Sequence, residues 1–139
     1  MQSSSLGKYN ENSAIAKTVK VSTIDQEIKN RNWDYIDFLK IDCEGYDLKV
    51  LMGSKEVLSL QKVGIIQFEY GEYWTSSGST LSSCLELLNS FQYEVFLLSK
   101  NGLLKFNYEV YGEYFRYSNF VAIAQNKMDT YRELIKGVA

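Results

Sequence analysis

The chain has 139 residues, enough for one domain with a moderate core and too few for two ordinary ones. Its 15 basic and 17 acidic side chains leave a net charge of −2, which excludes the electrostatic footprint of a nucleic-acid binder, while 45% apolar content excludes extended disorder. Histidine is absent, so the commonest general base and metal ligand are excluded, and a proton acceptor here is a carboxylate, lysine, tyrosine or water.

In chain order, residues 1–16 are polar and rich in Ser and Asn, an irregular lead-in. The opening "MQSSSLGKYNENS" has neither the basic nor the apolar region of an export signal, and no apolar run approaches the ~20 residues of a membrane helix. We expect a soluble, cytoplasmic protein with no membrane partner. "TVKVSTI", Thr18 to Ile24, alternates β-branched residues and predicts a strand. Ser22 is then the candidate cap of a short helix in "STIDQEIKNRNW". "YIDFLKI", Tyr35 to Ile41, predicts a second strand, followed by a helix from about Tyr46 with Leu48, Leu51 and Met52 on one face. Gly53 interrupts that helix, and Ser54 is placed to cap a further turn toward Leu60.

"VGIIQFEY", Val63 to Tyr70, has the near-continuous apolar run of a strand buried on both faces, as in parallel sheets. Ser79 to Phe91 predicts a helix with Leu81, Leu85 and Leu88 on one stripe. "YEVFLLS", "LLKF" and "NFVAIAQN" read as closing strands, with Asn101-Gly102 as a tight hairpin turn. Strands alternating with helices predict an α/β sheet of roughly five strands, parallel but with an antiparallel C-terminal hairpin. Its Phe38–Ile41 segment lies parallel beside Ile65–Phe68. Cys43 and Cys84 have neither metal-site nor redox-pair spacing and read as reduced, small core residues.

The stretch "FLKIDCEGYD" places three acids, a lysine and a glycine where a buried strand gives way to a helix. In open α/β sheets the carboxyl rim is where ligands bind, because side chains leaving the strand ends surround a crevice. Asp42 and Glu44 belong to that rim, and Gly45 permits a tight bend or close backbone approach. The next strand repeats the pattern with Glu69, followed by the aromatic loop of Tyr70, Tyr73 and Trp74. Two strand ends thus deliver carboxylates suited to binding hydroxyls or a cation. Purely structural roles stay open at this point: Asp42 as a helix cap, Glu44 as a complement to the helix dipole, Lys40 reaching to water, and the aromatics as packing.

The segments "VSTIDQEI", "YIDFLKIDCEGYDLKVLMGS", "GIIQFEYGEYW" and "SNFVAI" together resemble the FkbM family of S-adenosylmethionine-dependent methyltransferases. The resemblance rests on Thr23-Ile24-Asp25, Lys40-Ile41-Asp42-Cys43-Glu44-Gly45, Asp47-Leu48-Lys49-Val50-Leu51-Met52-Gly53 and Gln67-Phe68-Glu69. It runs from about Ser3 to Ala124. Asp47 stands where the family often has Glu, and Cys43 where valine is usual.

The resemblance implies a partial Rossmann-like sheet of the class I methyltransferase type, S-adenosylmethionine as cofactor, and methylation of a hydroxyl on a small molecule or carbohydrate. By the same resemblance Asp42 and Glu44 are catalytic candidates, and Lys40, Glu69, Tyr70, Tyr73 and Trp74 are acceptor-binding candidates. No metal is expected. No G-x-G or D-x-G-A-x-x-G segment occurs, so the resemblance covers the C-terminal half of such a domain and assigns no cofactor-binding residue. The edge of the Tyr35–Ile41 strand would then be bare. We expect it to be covered by the lead-in, by "TVKVSTI", or by another chain, through self-association or pairing with an N-terminal half. A non-catalytic binding module is the alternative function.

Overall fold

The structure, a computed structural model, describes residues 18–139, so the polar lead-in lies outside the described residues. Helix α1, Ile24–Arg31, begins because Thr23 is extended and its hydroxyl accepts the Gln26 N–H at 3.1 Å. Asp25 and Glu27 in the first turn and Lys29 and Arg31 in the last complement the helix dipole. Two expectations are corrected here. Thr23, not Ser22, is the cap, and residues 18–23 form no strand. Val19 and Val21 are exposed, and β-branched alternation yields a strand only where a paired neighbour and a packed face exist.

Asp25 has a second task. Its two carboxylate oxygens accept the N–H groups of Glu56 and Val57, each at 3.0 Å, at the start of α3, Lys55–Ser59. Ser54 occupies the cap position, but its hydroxyl donates back to Val50 O at 2.8 Å. The helix is therefore capped from a distant part of the chain, and α1 is fastened to α3.

Six strands follow: β1 Ile36–Ile41, β2 Val63–Tyr70, β3 Tyr93–Ser99, β4 Gly102–Lys105, β5 Ser118–Ala124 and β6 Ile135–Val138. They form one mixed sheet in the order β1-β2-β5-β3-β4-β6. β1 and β2 are parallel, with Phe38 opposite Ile65 and Ile41 opposite Phe68, as expected. β5 inserts antiparallel between β2 and β3, which consequently run in the same direction. The sheet thus has one strand more than expected, and its antiparallel character extends into the middle. β6, which pairs parallel with β4, was not foreseen, because "IKGV" is short and interrupted by glycine. The hairpin turn is also shifted by one residue: Ser99 pairs with Gly102, so Lys100-Asn101 turns and Gly102 opens β4.

One face of the sheet carries the main core. Ile41, Ile66, Phe68 and Phe120 meet Leu48 and Leu51 of α2, Asp47–Met52, Leu58 of α3, Trp74 of the short α4, Trp74–Ser77, and Leu81, Cys84 and Leu88 of α5, Leu81–Ser90. The opposite face has a smaller cluster of Phe96, Leu103, Val121 and Ile123, against which Met128 and Tyr131 of a C-terminal helical turn pack. Cys84 is fully buried and Cys43 half-buried, both as free thiols. The outer edge of β1 pairs with no strand among the described residues, and Phe38 on it is 53% exposed. No helix among the described residues is long and apolar enough to cross a membrane.

Candidate functional site

β1 stops at Ile41, opposite Phe68, whereas β2 continues to Tyr70. The chain leaving β1 then bends sharply, with Glu44 at φ 50° and Gly45 at φ 94°. A side chain at Gly45 would place its Cβ 2.5 Å from the Tyr73 carbonyl oxygen, so the bend and the close approach both require glycine. Ser77 locks the contact by donating its hydroxyl to Gly45 O at 2.6 Å. The two strand exits are thereby held face to face.

Beyond the end of β1, side chains serve the backbone of β2. The Glu69 N–H donates to Asp47 Oδ1 at 3.2 Å, and Glu69 O accepts the Trp74 indole N–H at 2.8 Å. Asp47 is fully buried. Burial raises its pKa, opposed by hydrogen bonds from backbone amides, foremost that of Glu69. Burial likewise pushes the Cys43 thiol up, leaving it a poor nucleophile.

The result is a cleft of about 220 Å³ between the two exits. Glu44 and Glu69 reach it from β1 and β2, and Tyr73 and Tyr117 flank it, with 57% and 72% exposure. The Tyr117 hydroxyl donates to Glu69 Oε1 at 2.8 Å and accepts from Asn119 Nδ2 at 3.1 Å. Asn119 Oδ1 in turn accepts from Gln67 Nε2 at 2.9 Å. This row of polar groups across β2 and β5 fixes one oxygen of the Glu69 carboxylate.

Of the residues singled out in the sequence, Glu44, Glu69, Tyr70, Tyr73 and Trp74 line this cleft, while Lys40 and Asp42 do not. Asp42 and Lys40 instead pair with each other at 2.7 Å, both about half exposed. The hydrogen bond that Lys40 donates to Asp42, and then the charge of that carboxylate, raise the Lys40 pKa. Asp42 is not a helix cap either, because α2 starts five residues later, at Asp47, with Tyr46 in the cap position.

Tyr70 and Trp74 correct the expectation of two substrate-facing rings. Each is 1% exposed, and they meet edge-on with centroids 5.2 Å apart, forming the floor of the cleft as part of the core. Sequence reasoning missed Tyr117, the residue before β5, and Asn119, near the start of that strand. Their one signal is the polar "YSN" immediately before the apolar run of that strand. Among the described residues no group of three or more Asp, Glu or Cys side chains is arranged to hold a metal ion.

A second cavity of about 540 Å³ runs along β1 and is mostly apolar, with Val21, Ile24, Leu39, Ile41, Tyr46 and Val50 in its walls. Among the described residues its charged lining is Lys40 and Lys49, with no carboxylate.

Against protein-family models, the chain matches the one described as the methyltransferase FkbM domain over residues 1–96, a span that includes both strand exits and the aromatic loop. No curated protein and no solved structure matches it.

Proposed function

Since the chain belongs to the FkbM methyltransferase family, we propose that it serves the S-adenosylmethionine-dependent methylation of a hydroxyl on a small molecule or a sugar. The observation that carries this reading is the shared cleft, into which adjacent parallel strands each deliver a carboxylate, Glu44 and Glu69, between two exposed tyrosines. Methyl transfer to oxygen needs the acceptor hydroxyl held in line and its proton removed, so orientation supplies much of the rate. Glu69, steadied by Tyr117, holds a hydroxyl of the acceptor. Glu44, which has no cationic partner among the described residues whereas Asp42 has Lys40, takes the proton of the reacting hydroxyl. Tyr73 and Tyr117 lie against the carbon face of the acceptor. Asp42 and Lys40 contribute a paired charge outside the cleft, and the partial Rossmann-like character is consistent with β1 and β2 in parallel and their carboxyl ends at the site.

The family implies the cofactor, and the described residues do not by themselves suit it. The groove along β1 offers apolar walls for a base but only lysines as charged neighbours, whereas a sulfonium and a ribose diol call for acids. A second reading, a binding module without catalysis of its own, is favoured by that groove and by the bare outer edge of β1. Calorimetry of S-adenosylmethionine with this chain, and with any longer product of its locus, separates the two. Binding followed by methyl transfer to a hydroxyl supports the first reading. Absence of binding in every form leaves the second.

A further inference from the structure

We infer that Asp47 is a positioning residue for the cleft: its buried carboxylate stands in for the strand that β2 lacks on its β1 side beyond Phe68, and so sets where the Glu69 carboxylate points. The inference rests on the reading of Glu69 as an acceptor-binding residue.

Pairing between β1 and β2 ends at Ile41 and Phe68. An edge N–H left without a strand partner is ordinarily satisfied by water or not at all, and the latter costs stability when it is buried. At Glu69 the N–H is instead taken by Asp47 Oδ1 at 3.2 Å, and the C=O by the Trp74 indole at 2.8 Å. Both backbone groups of this residue are thus held by side chains, which sit on the segments bordering the cleft. With both backbone groups held, the Cα–Cβ direction of Glu69 is set, and its carboxylate meets the Tyr117 hydroxyl at 2.8 Å.

A role confined to stability does not account for this arrangement. Asp47 is 0% exposed, and its Oδ2 has no hydrogen-bond partner among the described residues. A buried carboxylate that is half satisfied is a liability which an apolar side chain of similar volume would avoid. Such liabilities are retained where geometry at a site depends on them. Nor is Asp47 an ordinary cap, because it is the first residue of a six-residue helix and its Oδ1 bonds the neighbouring strand, not its own helix's next turn.

Nuclear magnetic resonance on the full isotope-labelled chain tests this without reference to methyl transfer. In the unaltered protein, a through-hydrogen-bond coupling is expected between the Glu69 amide nitrogen and the Asp47 carboxyl carbon. Asp47→Ala should speed Glu69 amide exchange by about tenfold or more and move the Glu69 carboxyl resonance, with the amides of Ile66 and Phe68 unaffected. Asp47→Asn, which keeps an oxygen in place, should restore both signals. If Asp47→Ala does not fold, Asp47→Glu serves instead, since it displaces the acceptor by one methylene and must move the Glu69 carboxyl resonance. Absence of the coupling, or a Glu69 carboxyl resonance unmoved in the folded variant, overturns the inference. If the chain neither binds S-adenosylmethionine nor methylates, the functional reading falls while these signals still report on the clamp.

Discussion

Tyr70 and Glu113, 43 residues apart in sequence, share a 2.8 Å hydrogen bond directly beneath the candidate site. The same carboxylate accepts the N–H groups of Leu81 and Ser82 at 3.0 and 2.8 Å and the Tyr108 hydroxyl at 3.1 Å. It therefore caps α5 from outside the helix and anchors the cleft floor to it. Burial pushes the Glu113 pKa up, but the hydrogen bonds from Ser82, Leu81, Tyr70 and Tyr108 outweigh that and hold it below the usual carboxylate range.

Glu113→Gln turns an amide donor toward donors already present, and should cost about 2 kcal/mol at neutral pH. Because the folded pKa is lowered, this contribution is complete above the ordinary carboxylate range and is lost as the pH falls through the lowered value. Urea unfolding between about pH 7 and about pH 3 should show the gap between wild type and variant closing in acid. A gap that is constant with pH would count against the capping role.

Asp47 should behave in the opposite sense. Its folded pKa is raised by burial, so the native state binds the proton more tightly than the unfolded chain, and that advantage is lost as the pH rises through the raised value. Wild type should gain stability relative to Asp47→Asn as the pH falls toward the acid range. The same unfolding series checks it, and parallel pH profiles for the two proteins would reject it.

Gly45 and Gly78 both have positive φ, 94° and 66°, yet an added methyl group meets Tyr73 O at 2.5 Å at the first and nothing within 4 Å at the second. Gly45→Ala should cost about 2–4 kcal/mol, and Gly78→Ala about 1 kcal/mol. Denaturant midpoints measure the difference. Equal effects would show that the bend after β1 tolerates displacement from the aromatic loop.

For chemistry, Glu69→Gln and Glu44→Gln should each reduce methyl transfer, the first mainly by raising acceptor KM and the second by lowering kcat on the order of 100-fold. Asp42→Asn should cost less, because Lys40 already engages that carboxylate at 2.7 Å. A chelator should leave the rate unchanged. Steady-state kinetics in a form that binds S-adenosylmethionine tests all three, and an Asp42→Asn loss exceeding that of Glu44→Gln would return the proton-accepting role to Asp42.

The bare edge of β1 makes an association prediction. An edge that no strand among the described residues pairs, beside a Phe38 that is 53% exposed, is a template for strand addition, so the chain should self-associate in a concentration-dependent way. Phe38→Lys should weaken that association, since a charge on an edge strand opposes pairing. Light scattering across a concentration series reads both. A monomer at all concentrations would indicate that the edge is closed within the chain.

The features legible in the chain alone are local and periodic. Val63–Tyr70 is a strand over the very residues whose apolar run announced it, because burial on both faces leaves a pattern independent of partners. The parallel pairing of β1 with β2 and the arrival of Glu44 and Glu69 at adjacent strand ends were legible from strands alternating with helices, and the Leu81–Leu88 stripe of α5 from its helical spacing, although Leu85 on it is only partly buried. Alternation alone misled at Thr18–Thr23, where no neighbouring strand turns propensity into pairing.

Only the tertiary structure decided which polar groups serve the site. Tyr117 reaches Glu69 across 48 residues, Asp25 caps α3 across 31 and 32, and Asp47 meets the Glu69 amide across 22. None of these pairs has a sequence period, because hydrogen bonds between distant segments depend on strand order and on where one strand outruns its neighbour. The insertion of β5 beside β2 brought Tyr117 to the cleft, and the early end of β1 left the Glu69 amide for Asp47. The carboxylates were written in the local pattern, and the geometry that holds them came from the order in which the strands assembled.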